Sequence, residues 1–373
     1  MMPPRKIIHF HPNGNFASNF VDPLILAERS RGYISTIVTS TNVSGISGKI
    51  IPYDLSIRNL PGIFLAFAKL CALFAVQKPD LVVSHNTKSS MLPLFAAWLM
   101  GVESRLYYNH GVPFVGYRGF LRRFLRLIER INCSLATEIV TVSLEMKDLI
   151  LSVRPLTNVS IIASGSACGI DLERHRASLY SDSSFRKDYS ILEEDIVVLF
   201  IGRPERRKGF ELVLRMWRDH VKDFSIKLIL CGPQQSDVLK VLTKLPPNII
   251  CMGFVKNLPE VLSKADCLIL PSLHEGLSYA VMEAMASECL VIANDIAGIK
   301  DLVHNGDNGY LVTGNSVSDY VRLIFALRTH NKETSNMKSN ALETVKLYSR
   351  ERFLPAYLSF IERCIAQSAK WHV

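Results

Sequence analysis

Two stretches of the sequence place acidic and basic residues where they could do chemistry. In Pro271-Ser272-Leu273-His274-Glu275-Gly276-Leu277-Ser278-Tyr279-Ala280-Val281-Met282-Glu283, a loop with small residues follows a short apolar run and opens a helical pattern near Ser278. Such a junction presents backbone N–H groups and the positive end of a helix dipole, an arrangement suited to a pyrophosphate. Glu275 precedes the helix and Glu283 lies in its second turn, so the two carboxylates can reach different parts of one extended ligand, where they suit sugar or ribose hydroxyls. Taken alone, Glu283 reads equally as an acid near a helix start and Glu275 as a solvated loop residue. The second stretch, Gly202-Arg203-Pro204-Glu205-Arg206-Arg207-Lys208-Gly209-Phe210, ends another apolar run. Arg203, through its planar fork, and Lys208, as a point charge, could clamp a diphosphate, whereas Arg206 and Arg207 read as pointing to solvent. No Asp-x-Asp triplet occurs in the chain. The usual carboxylate pair for Mg²⁺ or Mn²⁺ is therefore missing, and the expectation is a site with no metal in which cations and a helix N-terminus do its work.

The first half holds weaker signals. His11-Pro12-Asn13-Gly14 follows an apolar run but has a single Gly and is no dinucleotide fingerprint. His110, in Tyr107-Tyr108-Asn109-His110-Gly111, stands at a strand's carboxyl end and is followed by Gly. In Ser84-His85-Asn86-Thr87-Lys88, Asn86 and Lys88 are candidates for an acceptor phosphate, Lys88 being equally a solvated lysine at a helix start. Residues 117–135 form a basic amphipathic helix: Phe120, Phe124, Leu127 and Ile131 follow helical spacing, and arginines spread over the other faces. Arg118, Arg122, Arg123 and Arg126 are its candidates for contact with anionic lipid headgroups; the plainer reading is a core-facing helix with a solvated basic side.

The elements that must position these residues alternate. Lys6–His11, Ile34–Thr39, Leu81–Ser84, Ser104–Asn109, Ile139–Val142 and Val159–Ile162 read as strands separated by helical segments, and the rhythm restarts with Ile196–Ile201, Ile226–Cys231, Ile249–Met252, Cys267–Leu270, Leu290–Ala293 and Gly309–Val312. Strands apolar on both faces belong to parallel sheets covered by helices. The fold class is therefore α/β, with two parallel-sheet domains facing a cleft: residues 1–170, with a C-terminal helix at 350–373 packing back on them, and residues 171–349. The polar stretch 171–190 reads as a linker or surface excursion.

At 373 residues and 48% hydrophobic, the chain is long enough for two such domains. No apolar run reaches the ~18 to 20 residues of a membrane-spanning helix, Lys69 interrupting Ile63–Val76. The N-terminus lacks a cleavage-site pattern, and the eight scattered cysteines read as small core residues. The net charge of +9 divides as +7 over residues 1–175 and +2 over residues 176–373, which suggests an anionic partner for the first half. These readings place the protein in the cytoplasm, peripheral on the cytoplasmic face of the inner membrane.

The stretches at 202–209 (Gly-Arg-x-x-x-x-Lys-Gly), 275–283 (Glu-x7-Glu) and 297–312 (Ala-Gly-Ile-x-Asp-Leu-Val-x-x-Gly-x-x-Gly-Tyr-Leu-Val) together resemble retaining glycosyltransferases of family 4. The resemblance covers nearly the whole chain and implies the GT-B fold, two Rossmann-like domains. It implies further that Arg203 and Lys208 bind the diphosphate of a nucleotide-sugar, most simply a UDP-sugar, that Glu283 holds the ribose, and that Glu275 touches the transferred sugar. Gly276, Leu277 and Ser278 would offer backbone amides, Ser278 standing where many members carry Gly. Phe254 and Val255 would form the base-binding edge, Gly14 would let the backbone approach the diphosphate, and His110 would lie near the sugar's 6-hydroxyl.

Segment 84–145 resembles the branch that builds bacterial surface polysaccharides, such as O-antigen, capsule and exopolysaccharide, on polyprenyl-diphosphate lipids. The expected reaction is transfer of a hexose or N-acetylhexosamine to such a lipid-linked saccharide, with no cofactor, no metal and no nucleic acid. Glu275, His110, Arg203 and Lys208 would be its catalytic group. Two alternatives stand beside it: a sugar-nucleotide 2-epimerase of the same fold, and a non-catalytic module that binds membrane or nucleic acid through the basic first half.

Overall fold

The structure is a computed structural model that describes residues 4–39, 45–53, 60–179, 184–329 and 331–368. The chain divides into two compact units, Met1–Gly169 with Arg350–Val373, and Ile170–Ser349. Each is built on an all-parallel sheet with helical crossovers, as the alternation of buried runs and helical segments requires.

The first unit has seven strands: β1 (Lys6–Phe10), β2 (Ile34–Thr39), β3 (Lys49–Pro52), β4 (Leu81–His85), β5 (Ser104–Asn109), β6 (Glu138–Thr141) and β7 (Val159–Ser160), in spatial order β3-β2-β1-β4-β5-β6-β7. The chain builds outward from β1 and then returns to its other side at β4, Ile7 pairing with Leu81 and Phe10 with Ser84. That reversal is the switch point where parallel sheets bind ligands, because the loops leaving β1 and β4 diverge. Phe10, Val38 and Val82 on one face pack with Leu70 and Phe74 of the helix Leu60–Gln77 and with Ala96 and Ala97 of the helix Thr87–Leu99. Ile37 on the other face packs with Ala17, Val21 and Ile25. The helix Arg350–Ser368 belongs to this unit and packs on the helix Asp22–Ser30.

The second unit has six strands, β8 (Ile196–Ile201), β9 (Ile226–Cys231), β10 (Ile249–Gly253), β11 (Cys267–Leu270), β12 (Leu290–Asn294) and β13 (Tyr310–Val312), in order β10-β9-β8-β11-β12-β13. Its switch point lies between β8 and β11. Phe200, Phe210, Trp217, Leu228, Ile292 and Tyr320 anchor its core.

Two parallel-sheet α/β domains are as expected, and most strand ends agree to within two residues. Two local readings need correction. Strand β3 was not foreseen, because it is a four-residue edge strand, at most half-buried and closed by Pro52. Residues 171–190 are not a plain linker: the helix Leu172–Leu179 packs on the second unit, burying His175, whose Nδ1 lies 2.7 Å from Ser287 Oγ. Residues 180–183 lie outside the described residues.

The amphipathic helix runs Gly119–Leu135, and its buried side is Leu125, Glu129, Asn132 and Cys133. Of the apolar row, Phe120, at 83% exposure, Phe124 and Leu127, at 52%, are open to solvent, which sets aside the core-facing alternative, while Ile131 is half-buried. Among the described residues all eight cysteines are free, six of them buried, and no helix is long and apolar enough to cross a membrane.

Candidate functional site

In the second unit, close backbone approaches stitch the loops after β8 and β11 together. Gly209, with φ +75°, sits where an added Cβ would lie 2.3 Å from the Pro271 carbonyl oxygen, so only glycine fits. Leu273 N–H donates to Arg207 O at 2.8 Å, and Arg207 Nη1 donates to His274 O at 3.1 Å. The result is an ion cluster: Lys208 Nζ lies 2.6 Å from Glu275 Oε1 and Arg207 Nη1 3.9 Å from Glu275 Oε2, with the Glu275 side chain 8% exposed. Arg207 keeps 39% of its side chain open to solvent, as expected in part, but is also tied to Glu205 at 3.6 Å and to β11's loop through His274 O. Arg203 stands apart, 71% exposed and paired with Glu205 at 2.8 Å.

Four cations (Arg203, Arg206, Arg207 and Lys208) against Glu205 and Glu275 leave these loops with excess positive charge, which suits an anionic ligand. Burial lowers the pKa of neighbouring His274, as do Arg207 and Lys208, against the opposing pull of Glu275.

The loop before the helix Tyr279–Ala286 is held from beneath by Gly298, φ +71°, where a Cβ would lie 2.5 Å from Gly276 O. Ser278 N–H donates to Gly298 O at 3.1 Å. This corrects one expectation: the Ser278 amide is already engaged and is not offered to a ligand. Leu277 and Ser278 are buried, Gly276 is half-buried, and Glu283 is half-buried one turn into the helix. Phe254, 79% exposed, and half-buried Val255 follow β10. Their loop joins its neighbours through Gly232 N–H to Gly253 O at 2.6 Å. Gly232 in turn abuts Gly202 O, so the loops after β8, β9 and β10 form one row.

In the first unit, the loops after β1, β4 and β5 gather a set of histidines that the sequence reading saw only in part. Buried Gly14 opens a continuous helical run, Gly14–Phe16, Ala17–Val21 and Asp22–Ser30, capped by Asn13, whose side chain accepts from Phe16 N–H at 3.1 Å. His11 stacks on Phe16 with centroids 4.0 Å apart, and burial lowers its pKa to about 4 against the hydrogen bond to Asn13's backbone.

Asn86, at φ +70°, directs Nδ2 to His11 Nε2 at 2.5 Å. One N–H of this candidate acceptor ligand is thus engaged with His11; Lys88 is exposed on the same helix start. His110 stacks on Tyr108 at 4.7 Å and has Nε2 2.8 Å from Nδ1 of fully buried His85. His85 Nε2 lies 3.1 Å from His9 Nδ1, and His9 Nε2 lies 3.0 and 3.1 Å from the two oxygens of Glu28. Burial lowers the pKa of His110 to about 3 and that of His85 well below its ordinary value, so both are neutral. The signal for His9 and Glu28 was present in the sequence, as polar residues within otherwise core-facing runs.

A second buried carboxylate supports the β5 loop. Glu129 accepts from Thr87 Oγ1 at 2.6 Å, Tyr107 Oη at 2.7 Å and Asn109 Nδ2 at 3.2 Å, and Asn109 Oδ1 accepts from Gly111 N–H at 2.9 Å. Burial raises its pKa to about 7 despite these bonds. Of the candidate lipid-facing arginines, Arg118, Arg122 and Arg123 are exposed. Arg126 is corrected: it lies over the Phe114 ring at 5.3 Å and donates to Ser152 O at 3.0 Å.

Residues 181–344 match the family model described as Glycosyl transferases group 1. The chain is similar to the capsular polysaccharide biosynthesis glycosyltransferase CapM of Staphylococcus aureus, at 26% identity over 65% of this chain and 66% of that protein. It is also similar to the UDP-Gal:alpha-D-GlcNAc-diphosphoundecaprenol alpha-1,3-galactosyltransferase of Escherichia coli, at 23% identity over 73% of this chain and 72% of that one. Among solved structures, Anabaena Alr3699/HepE in complex with UDP and glucose superposes with a TM-score of 0.79 at 16% identity, covering 96% of this chain and 99% of the other. That likeness shows the fold, GT-B.

Proposed function

We propose that this chain, which carries a glycosyl transferases group 1 domain over residues 181–344, is a retaining family 4 enzyme. It moves a hexose or N-acetylhexosamine from a UDP-sugar to a saccharide carried on a polyprenyl diphosphate, in the building of a bacterial surface polysaccharide. The observation that carries the reading is the cluster of Lys208, Arg207 and Glu275 beside the start of the helix Tyr279–Ala286. Positive charge for a leaving diphosphate and a carboxylate for sugar hydroxyls stand together there. Similarity to a relative whose printed name contains a UDP-sugar and a diphosphoundecaprenol acceptor supports the choice of substrates.

In the proposed reaction the acceptor hydroxyl attacks from the face the diphosphate leaves. The bond from the anomeric carbon to the diphosphate oxygen breaks, the bond to the acceptor oxygen forms, and the diphosphate takes the acceptor's proton. Lys208 and Arg203 stabilise the charge that develops on the leaving oxygens. Glu275 positions the sugar, Glu283 holds the ribose and Phe254 with Val255 borders the base, while Gly14 and His110 are the first unit's own candidates for donor contact. Asn86 and Lys88 are the candidates for an acceptor phosphate.

We further place the protein on an anionic membrane surface. The helices Leu60–Gln77, Thr87–Leu99 and Gly119–Leu135 lie side by side and expose Phe64, Phe95, Trp98, Phe120, Phe124 and Leu127, with Arg118, Arg122 and Arg123 beside the last three. Exposed aromatic residues bordered by arginines suit an interface of headgroups and acyl chains. The test of the substrate assignment is a panel of nucleotide-sugars scored by thermal shift, followed by transfer to a polyprenyl-diphosphate saccharide. Stabilisation by UDP-sugars and acceptor-dependent turnover are expected. Isomerisation of the sugar nucleotide without acceptor would favour an epimerase instead.

A further inference from the structure

The hydrogen bonds that converge on Glu28 have a direction. His9 Nε2 is nearly equidistant from both carboxylate oxygens, at 3.0 and 3.1 Å, the geometry of one N–H shared by an ionised carboxylate. Tyr357 Oη, from the C-terminal helix, donates to Glu28 Oε1 at 2.5 Å. Glu28 is therefore an acceptor on both sides. If His9 donates from Nε2, its Nδ1 carries a lone pair and accepts from His85 Nε2 at 3.1 Å. His85 Nδ1 then accepts from His110 Nε2 at 2.8 Å. The chain ends at His110 Nδ1, which is buried and has no hydrogen-bond partner among the described residues. This end supports the same direction independently: the reverse order would leave an N–H orphaned there, and buried orphan donors are the rarer and costlier case.

We infer that Glu28 is a positioning residue that, through His9 and His85, fixes His110 as the Nε2–H tautomer and leaves Nδ1 as an acceptor for a ligand hydroxyl. Neutral imidazoles are required throughout, and burial keeps His85 and His110 so. A hydroxyl donating to Nδ1 has its oxygen lone pairs free for other donors, so the relay selects how a sugar hydroxyl is oriented as well as whether it is bound. The inference deepens the proposed function and rests on it only in naming the hydroxyl as a sugar's; the tautomer itself needs no substrate.

The experiment is a long-range ¹H–¹⁵N correlation spectrum of the full chain labelled with ¹⁵N-histidine, without ligand, the resonances assigned by single histidine substitutions. His9, His85 and His110 are all expected as Nε2–H tautomers. In Glu28→Gln the amide can keep the Tyr357 bond through its oxygen and turn its NH₂ toward His9 Nε2, which reverses every bond in the chain. His110 should then gain Nδ1–H character, and kcat/KM for the donor should fall about tenfold, the worth of one neutral hydrogen bond. Glu28→Asp should restore the wild-type tautomer.

A protonated Nδ1 on His110 in the wild type would overturn the inference, and so would a folded Glu28→Gln protein with unchanged tautomers. If Glu28→Gln does not fold, the wild-type spectrum still decides. The expected spectra with no turnover of any nucleotide-sugar would remove the glycosyl-transfer reading and leave the relay standing.

Discussion

The ammonium of Lys208 lies 2.6 Å from Oε1 of Glu275, so the cation assigned to the diphosphate is already held by the carboxylate assigned to the sugar. Each presets the other before a ligand arrives, with Arg207 3.9 Å from the second oxygen. Glu275→Gln should therefore release Lys208 toward phosphate: affinity for UDP alone should hold or rise, while transfer should drop about a hundredfold. Calorimetric titration with UDP beside an initial-rate assay separates the two. Parallel losses of UDP affinity and rate would contradict the division of labour.

Lys208→Ala should cost more than activity. It leaves a buried carboxylate with only the more distant Arg207, and about 1–3 kcal/mol of the second unit's stability should go with it. The urea midpoint of that unit's transition in the full chain reports this, and an unchanged midpoint would show that the pair adds nothing to the fold.

Gly298 tests the backbone of the loop. At φ +71°, and with a Cβ position 2.5 Å from Gly276 O, alanine would push the Gly276–Ser278 loop off its support. Gly298→Ala should lower stability by about 2 kcal/mol or more and weaken UDP binding with no ligand group removed. Wild-type binding in that variant would mean the loop is not part of the donor site.

How far the sequence disclosed this arrangement depends on the kind of interaction. The parallel strands were legible because short runs apolar on both faces have few alternative uses, and so was the place of Lys208 and Glu275 in loops that follow such strands, though no spacing told that the two side chains pair. The tie of Arg207 to His274 O was not legible, since it depends on Gly209 letting its loop seat on Pro271. Glu28 and His9 were missed for another reason. They are 19 residues apart, and Glu28 also meets Tyr357 from the far end of the chain; no local pattern encodes such a meeting. For the helix Gly119–Leu135 the sequence left two readings open, because helical periodicity gives an apolar side without saying what covers it; Glu129 and Asn132 occupy the buried side.

The buried acids and bases of the first unit predict opposing effects of pH. His11, with a folded pKa of about 4, His110, with about 3, and His85, held well below its ordinary value by burial, all resist protonation when folded. Their stability is fully present above the ordinary histidine value near 6.5 and is lost as pH falls from there toward 4 and 3. Glu129 is raised to about 7 and keeps its proton when folded, so its contribution is fully present below the ordinary carboxyl value and is lost as pH rises to about 7. Glu129→Gln removes only that opposing part. The urea midpoint of the first unit should then climb more steeply from pH 4.5 to 7 than in the wild type, by up to about 3 kcal/mol across the window. Superimposable profiles would contradict the buried, protonated Glu129.

Membrane docking should depend on Phe120, Arg122 and Arg123 but not on Arg126, which is occupied by Phe114 and Ser152. The variant Phe120→Ser, Arg122→Glu, Arg123→Glu should lose co-sedimentation with phosphatidylglycerol vesicles, which the wild type shows at low salt and loses at high salt. Each arginine is worth ~1 kcal/mol at such a surface. UDP binding should survive. Equal binding of both proteins to anionic and neutral vesicles would reject this surface.

The central claim is tested most directly by following the anomeric proton of an α-linked UDP-sugar by NMR in the presence of EDTA, with and without a polyprenyl-diphosphate saccharide. The account predicts donor consumption only when acceptor is present, appearance of UDP, and a product with α configuration. A β product, a requirement for added Mg²⁺ or Mn²⁺, or conversion of the donor without acceptor would contradict it.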